Sequence, residues 1–208
     1  MKPFKLHYIF DPLCGWCYAA EPLLAVAQAN SAFELVLHGG WLMRGQRIAP
    51  AMRAHIASAD RRIEQLTGQP FGEGYLNGLL QDPETVLDSR PPITAILAAG
   101  SLGVDPFAMQ RSIQHAHYEQ GLRVSELDTL AGLATTLGID SNAFLSAFSQ
   151  QSKVVMGHID ESLRLLEAAG GGGFPTLLLE TGAGMKRLDL AGYYGKPDQW
   201  RAFLAASV

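Results

Sequence analysis

Asp11-Pro12-Leu13-Cys14-Gly15-Trp16-Cys17-Tyr18 contains the only two cysteines of the chain and sits where the residue pattern changes. Before it, Leu6-His7-Tyr8-Ile9-Phe10 is an apolar, β-rich run that Asp11-Pro12 stops. After it, Cys14 to Asn30 carries Leu23, Leu24, Ala27 and further alanines at helical spacing. Phe33 to His38 resumes a short strand before Gly39-Gly40. The opening of the chain therefore predicts a βαβ unit with a parallel strand pair and a dithiol at the start of its helix.

That placement carries chemistry. A thiol at a helix N-terminus meets unpaired backbone N–H groups and the positive end of the helix dipole, which favour the thiolate. Cys14 is the expected nucleophile. Cys17, one turn inward, is the expected resolving thiol, close enough to attack a mixed disulfide on Cys14. Zinc would need two further ligands; His115-Ala116-His117 could supply nitrogens, but side chains two apart on a helix diverge. A purely structural disulfide here would close only a tiny loop and stabilise little.

Working outward, Arg44 to Gln150 predicts helices of modest length without convincing strand alternation. Asp105-Pro106 marks one helix start, and Ser125-x-x-Asp128 is a weak capping box before Leu127, Leu130, Leu133 and Leu137. Lys153 to Ala169 is a long amphipathic helix through Val155, Ile159, Leu163 and Leu166, ended by Gly170 to Gly173. Those glycines follow a helix and open a strand, the reverse of a phosphate-cradling loop. Thr176 to Glu180 and Lys186 to Leu190 predict a strand pair turned at Gly182 and Gly184, and Pro197 to Ala206 a helix facing inward through Trp200, Phe203 and Leu204. The expected fold class is α/β: βαβ, an all-helical insertion, a crossover helix, then ββα.

Composition narrows the function classes. The chain has 208 residues, 16 Lys+Arg against 20 Asp+Glu, 48% hydrophobic and 17% charged residues. It is long enough to bury a core without disulfide staples. A formal charge of −4 and the lack of a basic cluster argue against nucleic-acid binding. The longest stretch free of acidic and basic residues, Pro91 to Val104, is shorter than the ~20 residues a membrane-spanning helix needs. Met1-Lys2-Pro3-Phe4-Lys5 runs into the first strand without an apolar leader, so a cytoplasmic protein is expected, in a compartment where a close cysteine pair works as thiols.

The Asp11 to Tyr18 string, the helical block after βαβ, and Phe174-Pro175-Thr176 opening a strand together resemble the DsbA-like family of thioredoxin-fold proteins, in particular its FrnE-like, predicted protein-disulfide isomerase branch without a signal peptide. The resemblance covers essentially the whole chain. It implies a thioredoxin-like domain formed by residues 1–43 and 151–208, interrupted by a helical insertion domain at 44–150. It implies a thiol-disulfide oxidoreductase in which Cys14 attacks, Cys17 resolves, and Pro175 is a cis-proline facing them. Phe174 matches the residue that tunes redox behaviour and substrate contact, and Trp16 joins Phe174 and Pro175 as an expected substrate-binding residue. The implied partners are protein or peptide thiols and disulfides, with glutathione a candidate co-substrate. Neither a metal nor another cofactor is implied.

One departure stands out. The buried acid that related proteins carry six residues before the attacking cysteine is Tyr8 here, with His7 beside it. Without a carboxylate to hold the resolving thiol's proton, the pair is expected to be a better disulfide donor or isomerase than a reductase. Trp16 and Tyr18 are expected as an apolar rim. His38, His55 and His158 are read as ordinary polar or core-edge residues, and Asp11 as a cap on the turn. Two other functions stay open: a kappa-class-like glutathione-dependent isomerase or transferase, though that branch normally carries a serine at the active turn, and a non-catalytic peptide-binding chaperone.

Overall fold

A computed structural model describes residues 3–207. Its main sheet has the order β2-β1-β5-β6. β1 (Phe4–Phe10) runs parallel to β2 (Phe33–Gly39), pairing Tyr8 with Leu37, and antiparallel to β5 (Thr176–Thr181), pairing Tyr8 with Leu177. β6 (Gly184–Leu188) closes the far edge antiparallel to β5. The chain thus forms the expected parallel pair, and β5 joins β1 at the sheet centre.

Alternation along β1 sorts the two faces of the sheet. Leu6, Tyr8 and Phe10 enter the main core with Leu23 and Leu24 of α2 (Glu21–Gln28) and Trp200 and Leu204 of α9 (Pro197–Ala205). Ile9 points the other way, onto Leu178 and Leu166 of α8 (Val155–Ala168). Trp200 is fully buried, and its indole N–H donates to Leu23 O at 3.0 Å, satisfying the one polar group such a ring brings inside.

The helix expected from Cys14 to Asn30 is divided into α1 (Gly15–Ala19) and α2. Pro22, at the first turn of α2, has no N–H with which to reach the carbonyl of Tyr18. Gln69 Nε2 supplies that bond instead, at 3.1 Å, and the Tyr8 hydroxyl donates to the adjacent Cys17 carbonyl at 3.2 Å. The break is therefore filled from outside the helix.

Residues 44–150 depart from the all-helical expectation in one detail. β3 (Arg44–Arg47) and β4 (Val86–Asp88) form a two-stranded antiparallel ribbon with a shift in register, too short and too exposed to leave an alternating signature. The remainder is helical: α3 (Pro50–Thr67), a π-helical turn (Gly74–Leu79), α4 (Arg90–Ser101), α5 (Pro106–Tyr118), α6 (Leu127–Thr136) and α7 (Ser141–Gln151). Asp105 caps α5 as expected, accepting from Phe107 N at 3.0 Å. The Ser125 capping box does not form. Glu126 occupies the cap position of α6, while Ser125 Oγ bonds Asp88 N and O at the end of β4 (3.1 and 3.2 Å).

Candidate active site

The end of β1, the turn at Asp11-Pro12-Leu13 and the short α1 set the two cysteines. Cys14 is the N-cap of α1, and its carbonyl accepts from Cys17 N (2.9 Å) and Tyr18 N (3.1 Å). Cys14 retains 7% exposure while Cys17 retains 0%, and both are thiols here. Burial pushes the Cys17 thiol well above its ordinary range, and its hydrogen bond and charge interaction with Cys14 push it further. The pair is asymmetric: Cys17 keeps its proton, and Cys14 is the sulfur that borders a cavity.

Phe174-Pro175 closes one side. Its peptide bond is cis, as the resemblance implied, and the Cys14 thiol donates to Phe174 O at 3.7 Å. The Phe174 ring packs over Gly40, where a Cβ would lie 2.1 Å from the ring's Cζ, so the glycine is what admits the ring. Trp16 leans on Tyr194 with ring centroids 5.2 Å apart, and the Tyr194 hydroxyl donates to Trp16 O at 3.4 Å. The structure therefore brings Trp16, Phe174 and Pro175 into the neighbourhood of the dithiol.

Tyr18 does not join that rim. It is fully buried, stacks on Tyr118 at 4.8 Å, and its hydroxyl reaches Glu119 Oε1 (2.9 Å) and Pro70 O (3.0 Å). A phenol one residue past Cys17 falls on the helix face turned toward α5. Its anchor is part of a polar cluster in which buried Glu21 pairs with Arg111 Nε (2.6 Å) and His115 Nε2 (2.7 Å), and His115 Nδ1 with Glu119 (2.6 Å).

Asp11 does more than cap the turn. It is fully buried and accepts from Leu13 N (2.8 Å), Leu42 N (2.7 Å) and Ser89 Oγ (2.9 Å). Its own N–H approaches Cys17 Sγ at 3.5 Å. Burial pushes its carboxyl up to about 6 despite those three hydrogen bonds, and its charge adds to the upward push on Cys17. The premise that the resolving thiol lacks a nearby carboxylate is therefore corrected: the acid enters from the end of β1 rather than from position 8, where the Tyr8 phenol stays neutral.

A second acid, Asp60 of α3, was not singled out in the sequence. It is buried at the cavity beside Cys14 and accepts from the Tyr75 hydroxyl at 2.8 Å. The signal was present: Asp60 falls at helical spacing between Ile56 and Ile63, an acid on an otherwise apolar stripe.

The histidines divide as expected. His115 and His117 diverge, the first onto Glu21 and the second into a buried cluster with Tyr75 and Tyr118. His158 Nε2 accepts from Gly39 N at 2.9 Å, His38 shares a hydrogen bond with His7 at 2.9 Å, and His55 is exposed at the cavity mouth. Among the described residues, no group of three or more His, Cys, Asp or Glu side chains is placed to hold a metal ion.

With this geometry in place, comparison with known proteins decides the family: residues 5–193 match the DSBA-like thioredoxin domain. The chain belongs to the DsbA-like thioredoxin family of thiol-disulfide oxidoreductases. Cytosolic disulfide reductase DsbM from Pseudomonas aeruginosa is 44% identical and superposes with a TM-score of 0.92 over 98% of both chains. A second structure of that protein is with GSH. A putative protein disulfide isomerase from Nitrosomonas europaea is 25% identical, with a TM-score of 0.82 over 98% of this chain and 97% of the other. The ClpXP adapter protein SpxH from Halalkalibacterium halodurans is 28% identical over 69% of this chain, a match spanning 48% of that protein's length. Among the described residues, no helix is long and apolar enough to cross a membrane.

Proposed function

We infer that the chain exchanges disulfides through Cys14 and Cys17, acting as a cytoplasmic reductase or isomerase of peptide, protein or small-molecule disulfides. The observation that carries this reading is the asymmetry of the dithiol: Cys14 borders a cavity, while Cys17 is sealed behind it with its proton held. Cys14 attacks a substrate disulfide and expels one thiolate; Cys17 then attacks Cys14 and releases the second. Trp16, Phe174 and Pro175 border the substrate. Residues 1–43 and 151–208 form the part that carries the dithiol, and residues 44–150 an inserted part that covers it.

The direction assigned is reductive, with glutathione as electron donor: two glutathione thiols reduce the Cys14–Cys17 disulfide and leave as glutathione disulfide. The likeness to a cytosolic disulfide reductase, also solved with GSH, supports it, and Asp11 removes the main ground for expecting an oxidant. A kappa-class transferase is disfavoured because both cysteines are present.

Separate Cys14→Ser and Cys17→Ser variants test the roles. After incubation with an oxidised peptide, mass spectrometry should find a mixed disulfide accumulating on Cys17→Ser and none on Cys14→Ser. Equal trapping by the two would sink the assignment.

A further inference from the structure

The cavity beside Cys14 holds about 240 Å³ and is walled mainly by apolar side chains, among them Trp16, Leu42, Met43 and Ile56. Into this wall α3 inserts the carboxylate of Asp60. Tyr75, donating to Oδ2, is its one hydrogen-bond partner among the described residues. Oδ1 accepts from no protein group among the described residues, opens onto the cavity rather than being sealed, and lies over the backbone that leaves Cys14: a Cβ on Gly15 would come within 2.8 Å of it. Burying a carboxylate with one hydrogen bond is costly, and an apolar residue between Ile56 and Ile63 would pack better. The feature is therefore unexplained by stability and sits where the chemistry occurs.

We propose that Asp60 is the proton carrier for exchange at Cys14, a task the Asp11 carboxylate beside Cys17 does not perform. As carboxylate it takes, across the cavity that both groups border, the proton that the Cys14 thiol otherwise directs at Phe174 O. The Cys14 thiolate then forms a bond to one sulfur of the substrate disulfide, and the sulfur–sulfur bond breaks. The departing thiolate takes the proton from the Asp60 carboxyl and leaves as a thiol. Cys14 is oxidised to a mixed disulfide, the departing sulfur is reduced, and Asp60 returns to its starting form.

The groups facing Asp60 allow it to act alone near neutrality. Burial pushes its carboxyl up to about 6, partly offset by the Tyr75 hydrogen bond. His117 of α5 is pushed down to about 4 by burial and stays neutral. Tyr75 and Tyr118 are raised far above neutrality, as is Cys17 behind Cys14. His55 lies on α3 itself, at the exposed mouth.

The proposal rests on attack by Cys14, so its test must separate proton delivery from exchange itself. Reduced wild-type protein and Asp60→Asn are mixed with two disulfides: bis(2-hydroxyethyl) disulfide, whose leaving thiol is a weak acid and needs a proton, and 5,5′-dithiobis(2-nitrobenzoate), whose aromatic leaving thiol does not. The expected result is a loss of ~10-fold or more with the first, where Asp60 both takes and returns the proton, toward the range for general acid-base catalysis, and a loss several-fold smaller with the second, where it only takes the Cys14 proton. The wild-type rate inflection near pH 6 should shrink in Asp60→Asn to what the Asp11 carboxyl, also raised to about 6, contributes, and should persist unchanged in His55→Asn. Equal slowing of both disulfides, no slowing of the first, or loss of the inflection in His55→Asn overturns the proposal. If Asp60→Asn does not fold, Tyr75→Phe serves: it removes the hydrogen bond that lowers the Asp60 pKa, so the inflection should move to higher pH, and an unmoved inflection overturns the proposal. Failure of the wild type to react with either disulfide would instead overturn the exchange function.

Discussion

Gly15 shows how one missing side chain can set an active site. An added methyl would meet Asp60 Oδ1 at 2.8 Å and Ile63 Cδ1 at 3.1 Å; both side chains border the cavity, but moving Asp60 gives up its hydrogen bond to Tyr75. Gly→Ala in a helix ordinarily gains up to about 1 kcal/mol, whereas overpacking a core costs ~1–3 kcal/mol. The second effect should win. Gly15→Ala is expected to lose about 1 kcal/mol by urea denaturation and to slow exchange with bis(2-hydroxyethyl) disulfide several-fold through displacement of Asp60. A variant as stable and as active as wild type would show that the contact does not matter. At this scale chemistry and spacing pointed to Cys14 and Cys17, whereas the cis bond at Phe174-Pro175 was expected only from the family resemblance. The sequence showed Asp60 only as an acid on an apolar stripe, because a carboxylate's role depends on what folds against it, and it understated Asp11, whose second and third hydrogen-bond donors lie far along the chain.

At the scale of elements, the short α1 is held less by its own hydrogen bonds than by what reaches it from α5 and from Gln69. One of these ties runs from Tyr18 through Glu119 and His115 to the Glu21 cluster. Burial alone would raise the Glu21 carboxyl, but His115 and Arg111 outweigh it and hold it below its usual range. Reciprocally, the hydrogen bond to Glu21 raises His115. A raised histidine contributes stability that is fully present below its unfolded pKa of about 6.5 and is lost as pH rises through its folded value. Removing the partner should therefore matter most in mild acid. Glu21→Gln is expected to lower the melting temperature at pH 6 by several degrees, for a loss of about 1–3 kcal/mol, and the gap to wild type should narrow by pH 9. A gap that widens with pH would refute the ion-pair account. Strand and helix order could be read from periodicity because each long element presents a regular face. The β3–β4 ribbon could not, since it rests on exposed residues with no alternation, whereas the break was signalled by Pro22 and only its repair by Gln69 lay beyond the local sequence.

For the molecule as a whole, residues before and after the inserted stretch must close on one another before the dithiol is framed. β5 enters between β1 and β6, and α9 locks onto α2 through Trp200. Trp200→Ala should cost ~3–5 kcal/mol, leaving a void and removing the indole hydrogen bond to the Leu23 carbonyl. Urea unfolding followed by far-ultraviolet circular dichroism checks this; a loss under 1 kcal/mol would mean that the C-terminal helix is not integral to the fold.

The fit between Gly15 and Asp60 also limits how this protein can be re-engineered. The two residues between the cysteines look like an interchangeable cassette, and the inserted stretch like a removable accessory. They share a boundary on which one side is defined by the absence of a Cβ and the other by a charge. A dipeptide whose first residue carries a side chain would push into the space Asp60 fills, and an insertion with a smaller residue at that place would leave the space empty. Chimeras that exchange only one of the two should be poorer catalysts than either parent, whereas chimeras that exchange both together should recover.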